Sequence, residues 1–328
     1  MSAAPQKTKS GSEQIEVTVS AVVPVNDLVT RFEFSRVDGQ PFPTFSGGAH
    51  TVITMMDSGR RRMNPYSLMS DPADTSTYAI SVRRDDAGRG GSLFMHTQVK
   101  VGDVMTLSYP VNLFSLDLRA RKNLFFAGGI GITPFLSMIA QLERMNGNWE
   151  LHYSVRSADL GTYADDLKTK YPNNVHVYYD DQSQSIPLTD LLDGQPLGTN
   201  AYVCGPKGMI AWVHATAKEA GWPDVQVHSE EFTAPQPGKP FEVRLCKSDM
   251  TIKVGENESL LEALEREGVD APFLCRGGAC GQCETNVVSH DGEFIHRDHW
   301  LDDDQHASGT KIMPCVSRFV GASLLLDR

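Results

Sequence analysis

Residues 272–287 read PFLCRGGACGQCETNV and set Cys275, Cys280 and Cys283 in a C-x4-C-x2-C loop; a fourth cysteine, Cys315, follows in MPCVSR. That spacing is the plant-type arrangement for [2Fe-2S] ligation, and thiolates are the soft ligands such a cluster demands. Gly277, Gly278 and Gly281 carry no Cβ, so a short loop can wrap round a cluster with its N–H groups turned toward the sulfurs. A role as buried apolar cysteines would not need three of the chain's six within nine residues, interleaved with glycine. Zinc is the better rival, but its sites favour C-x2-C pairs or Cys/His mixtures. A cluster of this type moves one electron at a time, so the rest of the chain must hold what loads it.

Around the loop, residues 241–328 have the pattern of a small domain. FEVRLCKSD and MTIKVGENE read as a hairpin, and SLLEALEREG as a helix with Leu260, Leu261 and Leu264 inward and Gly268 as its stop. Cys246 falls outside the ligand pattern and is expected in the core. His290, His296, His299 and His306 alternate with carboxylates without a fixed ligand spacing, which reads as a solvated loop. This stretch has 16 acidic and nine basic residues, a net −7 of the chain's −11. A negative face favours a positively charged docking partner.

At 328 residues the chain fits two or three domains. Its net negative charge argues against nucleic acid as a partner. No apolar run approaches the length of a membrane span, and MSAAPQKTKSGSEQ lacks the hydrophobic core of a signal peptide, so a soluble, cytoplasmic protein without a membrane partner is expected. Residues 1–13 are small and polar and read as a disordered tail.

Residues 14–115 read as short strands (IEVTVSAVVPV, VTRFEFSRV, GGAHTVITMM, STYAISVRR, VGDVMTLSYPV) with turns at Asn26-Asp27, Asp57-Ser58-Gly59 and Asp86-Ala87-Gly88. Short strands with no long helix between them predict an antiparallel β-barrel. Two segments look chemical. In RRRMNPYSLMSDP, Tyr66 and Ser67 follow three arginines, and a ring, a hydroxyl and positive charge suit a planar heterocycle bearing a phosphate. Arg83 and the GRGGS turn, with Gly91 and Ser92, offer N–H groups to a phosphate at the start of a short helix. An arginine run is also an ordinary solvated edge.

From residue 116 to 233 the period changes. KNLFFAGGIGITPFLSMIAQLERM is a strand, a glycine turn and an amphipathic helix entered through Thr133-Pro134. Strands and helices then alternate through NAYVCGP to QVHSEEF, which predicts an α/β domain with a parallel sheet. Ligands in such folds bind beyond the C-terminal strand ends, so Gly128, Gly129, Gly131, Thr133 and Gly205 are rim residues for a dinucleotide. Pro134 stands where the usual G-x-G-x-x-G motif has its third glycine. Cys204 is either a ligand neighbour or a small buried side chain. Phe232, at the last rim position, either covers a ring or closes a core. TAPQPGKP then has the composition of a linker, 234–240.

In order and motifs the chain resembles the phthalate dioxygenase reductase family, single-chain reductases of Rieske-type oxygenases and demethylases. NPYSLMSDP resembles the flavin motif, VRRDDAGRGGS the flavin phosphate segment, FFAGGIGITPFLSM and YVCGP the pyridine nucleotide motifs, and CRGGACGQC with MPC the ferredoxin ligands. The resemblance covers 14–328 and implies a multidomain protein: a flavin β-barrel, an NAD-binding α/β domain and a β-grasp ferredoxin domain. It implies that Tyr66 and Ser67 contact the flavin ring, with Ser67 near N5, and that Arg83, Gly91 and Ser92 hold its phosphate. Gly129, Gly131, Thr133, Cys204 and Gly205 become contacts of the nicotinamide cofactor, and Phe232 the aromatic over the flavin. Ser67, Cys204 and Phe232 are the expected catalytic set, and Cys275, Cys280, Cys283 and Cys315 the cluster ligands.

One position departs. Asn64 stands where the flavin motif has arginine, and one of Arg60, Arg61 or Arg62 is left to compensate. The GRGGS segment resembles the FMN group, with FAD as the alternative. NADH is expected over NADPH: Arg156 could pair with a 2′-phosphate, but Asp159, Asp180 and Asp181 would oppose it if they lie near. The implied partner is a terminal oxygenase with a Rieske centre, docking near the ferredoxin domain. A P450, another haem or a small acceptor is the alternative destination. A carrier or adaptor without nucleotide binding is the reading from another class, and the intact GGIGITPF and YVCGP motifs speak against it.

Overall fold

The computed structural model describes residues 14–57 and 59–328. The tail expected over 1–13 and Ser58 of the Asp57-Ser58-Gly59 turn lie outside the described residues. Three sheets follow one another along the chain.

The first contains β1 (Gln14–Asn26), β2 (Val29–Arg36), β3 (His50–Asp57), β4 (Arg60–Ser67), β5 (Tyr78–Arg83), helix α1 (Gly91–Thr97) and β6 (Val104–Ser108). Strand order is β4-β3-β6-β1-β2-β5, with every pair antiparallel. Alternate residues such as Ile15, Val17, Val19, Phe32 and Phe34 point inward and form the core. The expected barrel is a curled sheet whose edge strands, β4 and β5, approach without pairing. Helix α1 packs against β3, β4 and β5 along this seam and adds Met95 to the core. Its entry turns on Gly90 at φ +95°, a conformation in which a side chain would be strained.

The second sheet is parallel, order β11-β10-β7-β8-β9. It runs β7 (Lys122–Gly128), α2 (Thr133–Arg144), β8 (Trp149–Val155), α3 (Ala164–Lys170), β9 (Val175–Tyr179), α4 (Leu188–Leu192), β10 (Thr199–Cys204), α5 (Lys207–Glu219) and β11 (Val227–Glu230). Both faces are covered. Phe125, Phe135, Ile139 and Leu151 pack on one side, and Leu124, Phe126, Val203 and Val213 on the other, as a parallel sheet requires. The chain leaves β7 in one direction and returns to β10 on its other flank, so the topological switch point lies between them.

The third sheet has order β13-β12-β16-β14-β15, built from β12 (Phe241–Leu245), β13 (Met250–Val254), α6 (Leu260–Arg266), β14 (Thr285–Ile295), α7 (Asp303–Ser308), β15 (Lys311–Ile312) and β16 (Arg318–Leu326). It grips α6 through Leu260, Leu261 and Leu264 in the β-grasp manner. Ser259 and Glu262 form a capping box that starts α6, worth about 1 kcal/mol. Cys246 is exposed, contrary to the expected core position, because it follows β12 in the turn to β13. The connecting stretch 234–240 is pinned: buried Arg318 donates to the carbonyls of Gly238 and Lys239 as well as Gly255 and Glu258. Among the described residues no helix is long and apolar enough to cross a membrane.

Candidate functional site

Three of the four cysteines lie on a loop that borders Thr233 at the end of the second sheet and is tied to the first through Arg276, Glu265 and Arg61. Cys275 and Cys280 are hydrogen-bonded to each other, as are Cys283 and Cys315, and the charge of Cys275 is felt at both members of the second pair. Two pairs suit a two-iron cluster in which each iron takes two thiolates. Cys275, Cys283 and Cys315 are buried. Hydrogen bonding with Cys280 and from the N–H groups of Gly277, Ala279 and Cys280 outweighs burial and brings Cys275 down to about 5. The loop's sharp path explains its glycines: Gly278 and Gly281 have φ of +77° and +74°, and a Cβ on Gly281 would sit 2.3 Å from the Trp300 ring. The donor chemistry and the N–H groups turned to sulfur fit the expected cluster.

Arg276, next in sequence to Cys275, is buried and ion-paired with Glu265 of α6, which also pairs with Arg61 of β4 at 3.4 Å. Arg60 donates to the Asn257 carbonyl at 2.6 Å, and Arg89 binds both oxygens of Glu262. The arginine run is thus divided. Arg60 and Arg61 hold the third sheet to the first, while Arg62 lies beside Gly90 and Asn64 against Gly91, where a Cβ would meet its amide at 2.3 Å. Of the three arginines, Arg62 is the one beside Gly90, and its guanidinium is ion-paired with Asp57 at 3.0 Å.

Tyr66 accepts a hydrogen bond from Asn64 at 3.3 Å, and burial pushes its phenol up to about 12. Ser67 pairs with His50 across β3–β4, and both Ser67 Oγ and His50 Nε2 are buried without a hydrogen-bond partner. Burial holds His50 down at about 4, so it is neutral at physiological pH. Two orphaned polar atoms at the sheet's rim fit a heteroaromatic ligand that completes them. Gly91 is buried at the first turn of α1, and Ser92 Oγ accepts from Asp85 N at 3.0 Å, which ties it to the preceding loop. Arg83 is exposed at the end of β5.

The nucleotide motifs meet at the switch point. Gly129, with φ +54°, faces open space, whereas a Cβ on Gly131 would lie 2.2 Å from the Cys204 carbonyl oxygen. Gly131 is therefore explained by close packing of the two strand ends. Thr133 is buried and donates to Ile130 O at 3.0 Å. Helix α2 is docked to the first sheet one turn later, where Gly48 N donates to Ser137 Oγ at 3.1 Å and Gly47 N to Gln141 Oε1 at 2.6 Å.

Cys204 is fully buried, and burial together with the neighbouring Glu230 pushes its thiol well up. Glu230 is its direct partner in the β10–β11 register. Its Oε2 is buried and unpaired, and burial raises the carboxyl to about 8, so it is protonated at neutral pH. Sequence reading passed over Glu230, because SEEF shows nothing of the register that sets one of its two glutamates beside the thiol. Phe232 is 48% exposed, a ring left uncovered at the rim and not part of any core. Just beyond it, Thr233 O lies 3.6 Å from the position of a Gly277 Cβ, and Glu231 and Thr233 approach His299 at 3.2 and 3.4 Å. The cysteine loop thus abuts the end of the nucleotide sheet. Ser154 Oγ donates to the Asp180 carboxylate at 3.1 Å and the backbone N–H of Asp181 to Arg156 O, so Asp180 stands beside the end of β8.

The sequence matches the 2Fe-2S iron-sulfur cluster binding domain family over residues 243–320, and the N-terminal domain of dimethylamine monooxygenase subunit DmmA-like proteins over 107–227. A solved structure of phthalate dioxygenase reductase, described as a modular structure for electron transfer from pyridine nucleotides to [2Fe-2S], matches with a TM-score of 0.87. It is 33% identical, over 96% of this chain and 98% of that one. The chain belongs to the phthalate dioxygenase reductase family. As a member it is an oxidoreductase, with flavin, nucleotide and cluster modules in the expected order. It is similar, at 43% identity, to the heme-dependent oxidative N-demethylase beta subunit of Ectopseudomonas mendocina, over 96% of this chain and 99% of that protein. It is equally similar, at 43%, to the carnitine monooxygenase reductase subunit of Acinetobacter pittii, over 92% of this chain and 98% of that protein.

Proposed function

We propose that this chain is the reductase component of a two-component Rieske-type oxygenase or demethylase, drawing electrons from NADH through FMN and a [2Fe-2S] cluster. In this reading residues 14–115 hold the flavin, 116–233 the nucleotide and 241–328 the cluster, joined by 234–240. Cys275, Cys280, Cys283 and Cys315 ligate the cluster. When bound, the flavin takes two electrons at once from the nicotinamide and the cluster takes them singly, which converts a hydride donor into a one-electron source.

The residues of the chain position and insulate. Tyr66 would line the flavin ring, and Ser67, with its orphaned hydroxyl, would supply a hydrogen bond to the ring edge near N5. Arg62, Asn64, Arg83, Gly91 and Ser92 surround the phosphate. Gly129, Thr133 and Gly205 receive the nucleotide, with Gly131 fixing the two strand ends. Cys204 and the neutral Glu230 would face the nicotinamide, and the exposed Phe232 ring would cover the flavin. Asp180 and Asp181 disfavour a 2′-phosphate and so favour NADH over NADPH. The six free cysteines suit the cytoplasm.

The observation that carries this reading is the seat of the cysteine loop, which touches Thr233 on the nucleotide side and reaches Arg61 on the other through Arg276 and Glu265. The similarity to a heme-dependent N-demethylase subunit favours haem iron as a second possible destination. The test is to reduce the loaded protein with NADH and mix it with a purified Rieske oxygenase and, separately, with a ferric haem partner. Reduction of the Rieske centre alone supports the proposal, and reduction of the haem alone replaces it with the second reading. Chromatography of the released flavin as FAD would overturn the choice of FMN.

A further inference from the structure

Of the four histidines expected in a solvated loop, His290 and His299 are exposed, whereas His296 and His306 are partly buried. His296, Asp298 and His306 converge behind the cysteine loop. His296 Nδ1 lies 3.6 Å from Asp298 Oδ1, and His306 Nε2 lies 3.2 Å from Asp298 Oδ2. The two imidazoles stack with centroids 4.2 Å apart, and one ligand atom from each residue lies within 4.8 Å of the others. His290, by contrast, packs against Phe294, and His299 turns to Glu231.

Two features mark this as more than a surface network. Both ring nitrogens of His296 are buried; Nε2 has no hydrogen-bond partner, and Nδ1 reaches only Asp298, at 3.6 Å. An imidazole in that position requires something to complete it. The Asp298 carboxylate is completely buried and fixed from behind, by Ser317 Oγ at 3.0 Å and Leu301 N at 3.0 Å, and its ion-pair partners are imidazoles. The other histidine–carboxylate group, Glu150, His152 and His176, differs in that Lys122 Nζ sits 2.7 Å from Glu150 and already satisfies its charge.

The geometry points to a binding site for a divalent transition-metal ion of the zinc class, ligated by His296, Asp298 and His306. Nitrogen and carboxylate oxygen at about 2.0–2.2 Å from a tetrahedral ion stand roughly 3.3 Å apart; His306 Nε2 stands 3.2 Å from Asp298 Oδ2 and His296 Nδ1 3.6 Å from Oδ1, so the carboxylate presents one oxygen to each imidazole. The hydrogen bonds to Asp298 supply the outer support that orients a ligating carboxylate. Three protein ligands leave one position for water, and His306, a quarter exposed, lies on the side open to solvent. The ion would pin 296–306 to the cysteine loop, which it already touches where His299 N donates to Gly278 O at 3.1 Å.

The test uses the flavin- and cluster-loaded protein. It is incubated with Zn2+ and passed through a desalting column. Zinc and iron are then counted by mass spectrometry, and affinity is read by competition with a chromophoric chelator. About one zinc per chain with the iron retained is expected. His306→Ala and His296→Ala should each weaken binding at least tenfold, and His152→Ala should leave it unchanged. If His296→Ala fails to fold, His306→Ala, at the open side, carries the test. No zinc retained, equal affinity in the His306 variant, loss dependent on His152, or zinc taken up only as iron is lost to the cysteines would each overturn the proposal.

Discussion

Arg89 donates to both carboxylate oxygens of Glu262, at 2.6 and 3.2 Å, and joins the loop before α1 to the helix beside the cysteine loop. Both side chains are about nine-tenths buried. Burial alone would raise Glu262, but the hydrogen bonds and charge of Arg89 outweigh it and hold the carboxyl below its ordinary value. The stability it contributes is present above pH 4.5 and is lost as acid takes the pH below that.

Removing Arg89 leaves the buried Glu262 charge with only the more distant Arg60, at 3.8 Å, and the Ser259 N–H. Arg89→Ala is expected to cost about 3–5 kcal/mol of stability, read by denaturant unfolding. In stopped-flow traces it should slow reduction of the cluster while leaving flavin reduction by NADH near the wild-type rate. Equal rates for both steps in the variant would show that the contact does not hold the two centres in register.

Glu230 predicts a different pH response. Its folded value of about 8 lies above the ordinary 4.5, so its contribution is fully present below pH 4.5 and is lost as the pH rises through 8. Glu230→Gln should flatten thermal stability across that interval. An unchanged slope in the variant would place the titration elsewhere.

Ser67→Ala removes the orphaned hydroxyl that we assign to the flavin edge. A hydrogen bond to a charged group is worth about 1.5–3 kcal/mol, so flavin reduction should slow roughly tenfold to a hundredfold. The measurement is single-turnover reduction at saturating NADH. No change would remove Ser67 from the reaction.

The cysteines should divide by exposure. In the loaded protein, iodoacetamide followed by peptide mass spectrometry is expected to label Cys246, which is exposed, and to spare buried Cys204, whose thiol is held neutral. Labelling of Cys204 at a comparable rate would show that its strand end opens.

What the sequence made legible was local. The C-x4-C-x2-C spacing, the period-two strands and the Pro134 helix entry each depend on neighbours along the chain, and each matches the element found. What it hid depends on register and packing. Arg60, Arg61 and Arg62 are identical in sequence, yet strand position sends two to α6 and leaves one at Gly90. Glu230 and Glu231 are adjacent, yet pleating sets the first against Cys204 and turns the second to His299. His296 and His306 meet only because α7 folds back over Asp298. Gly131 fits two roles at once, because close backbone packing against Cys204 and close ligand approach both exclude a Cβ.

The central claim is an internal relay from nicotinamide through flavin to the cysteine-bound cluster. An anaerobic titration with NADH, followed by visible absorption and low-temperature EPR, tests it most directly. The account predicts that flavin and cluster bleach together, with a rhombic cluster signal and about one and a half equivalents of NADH consumed for three electrons. Flavin bleaching after about one equivalent, with no cluster signal, would contradict it.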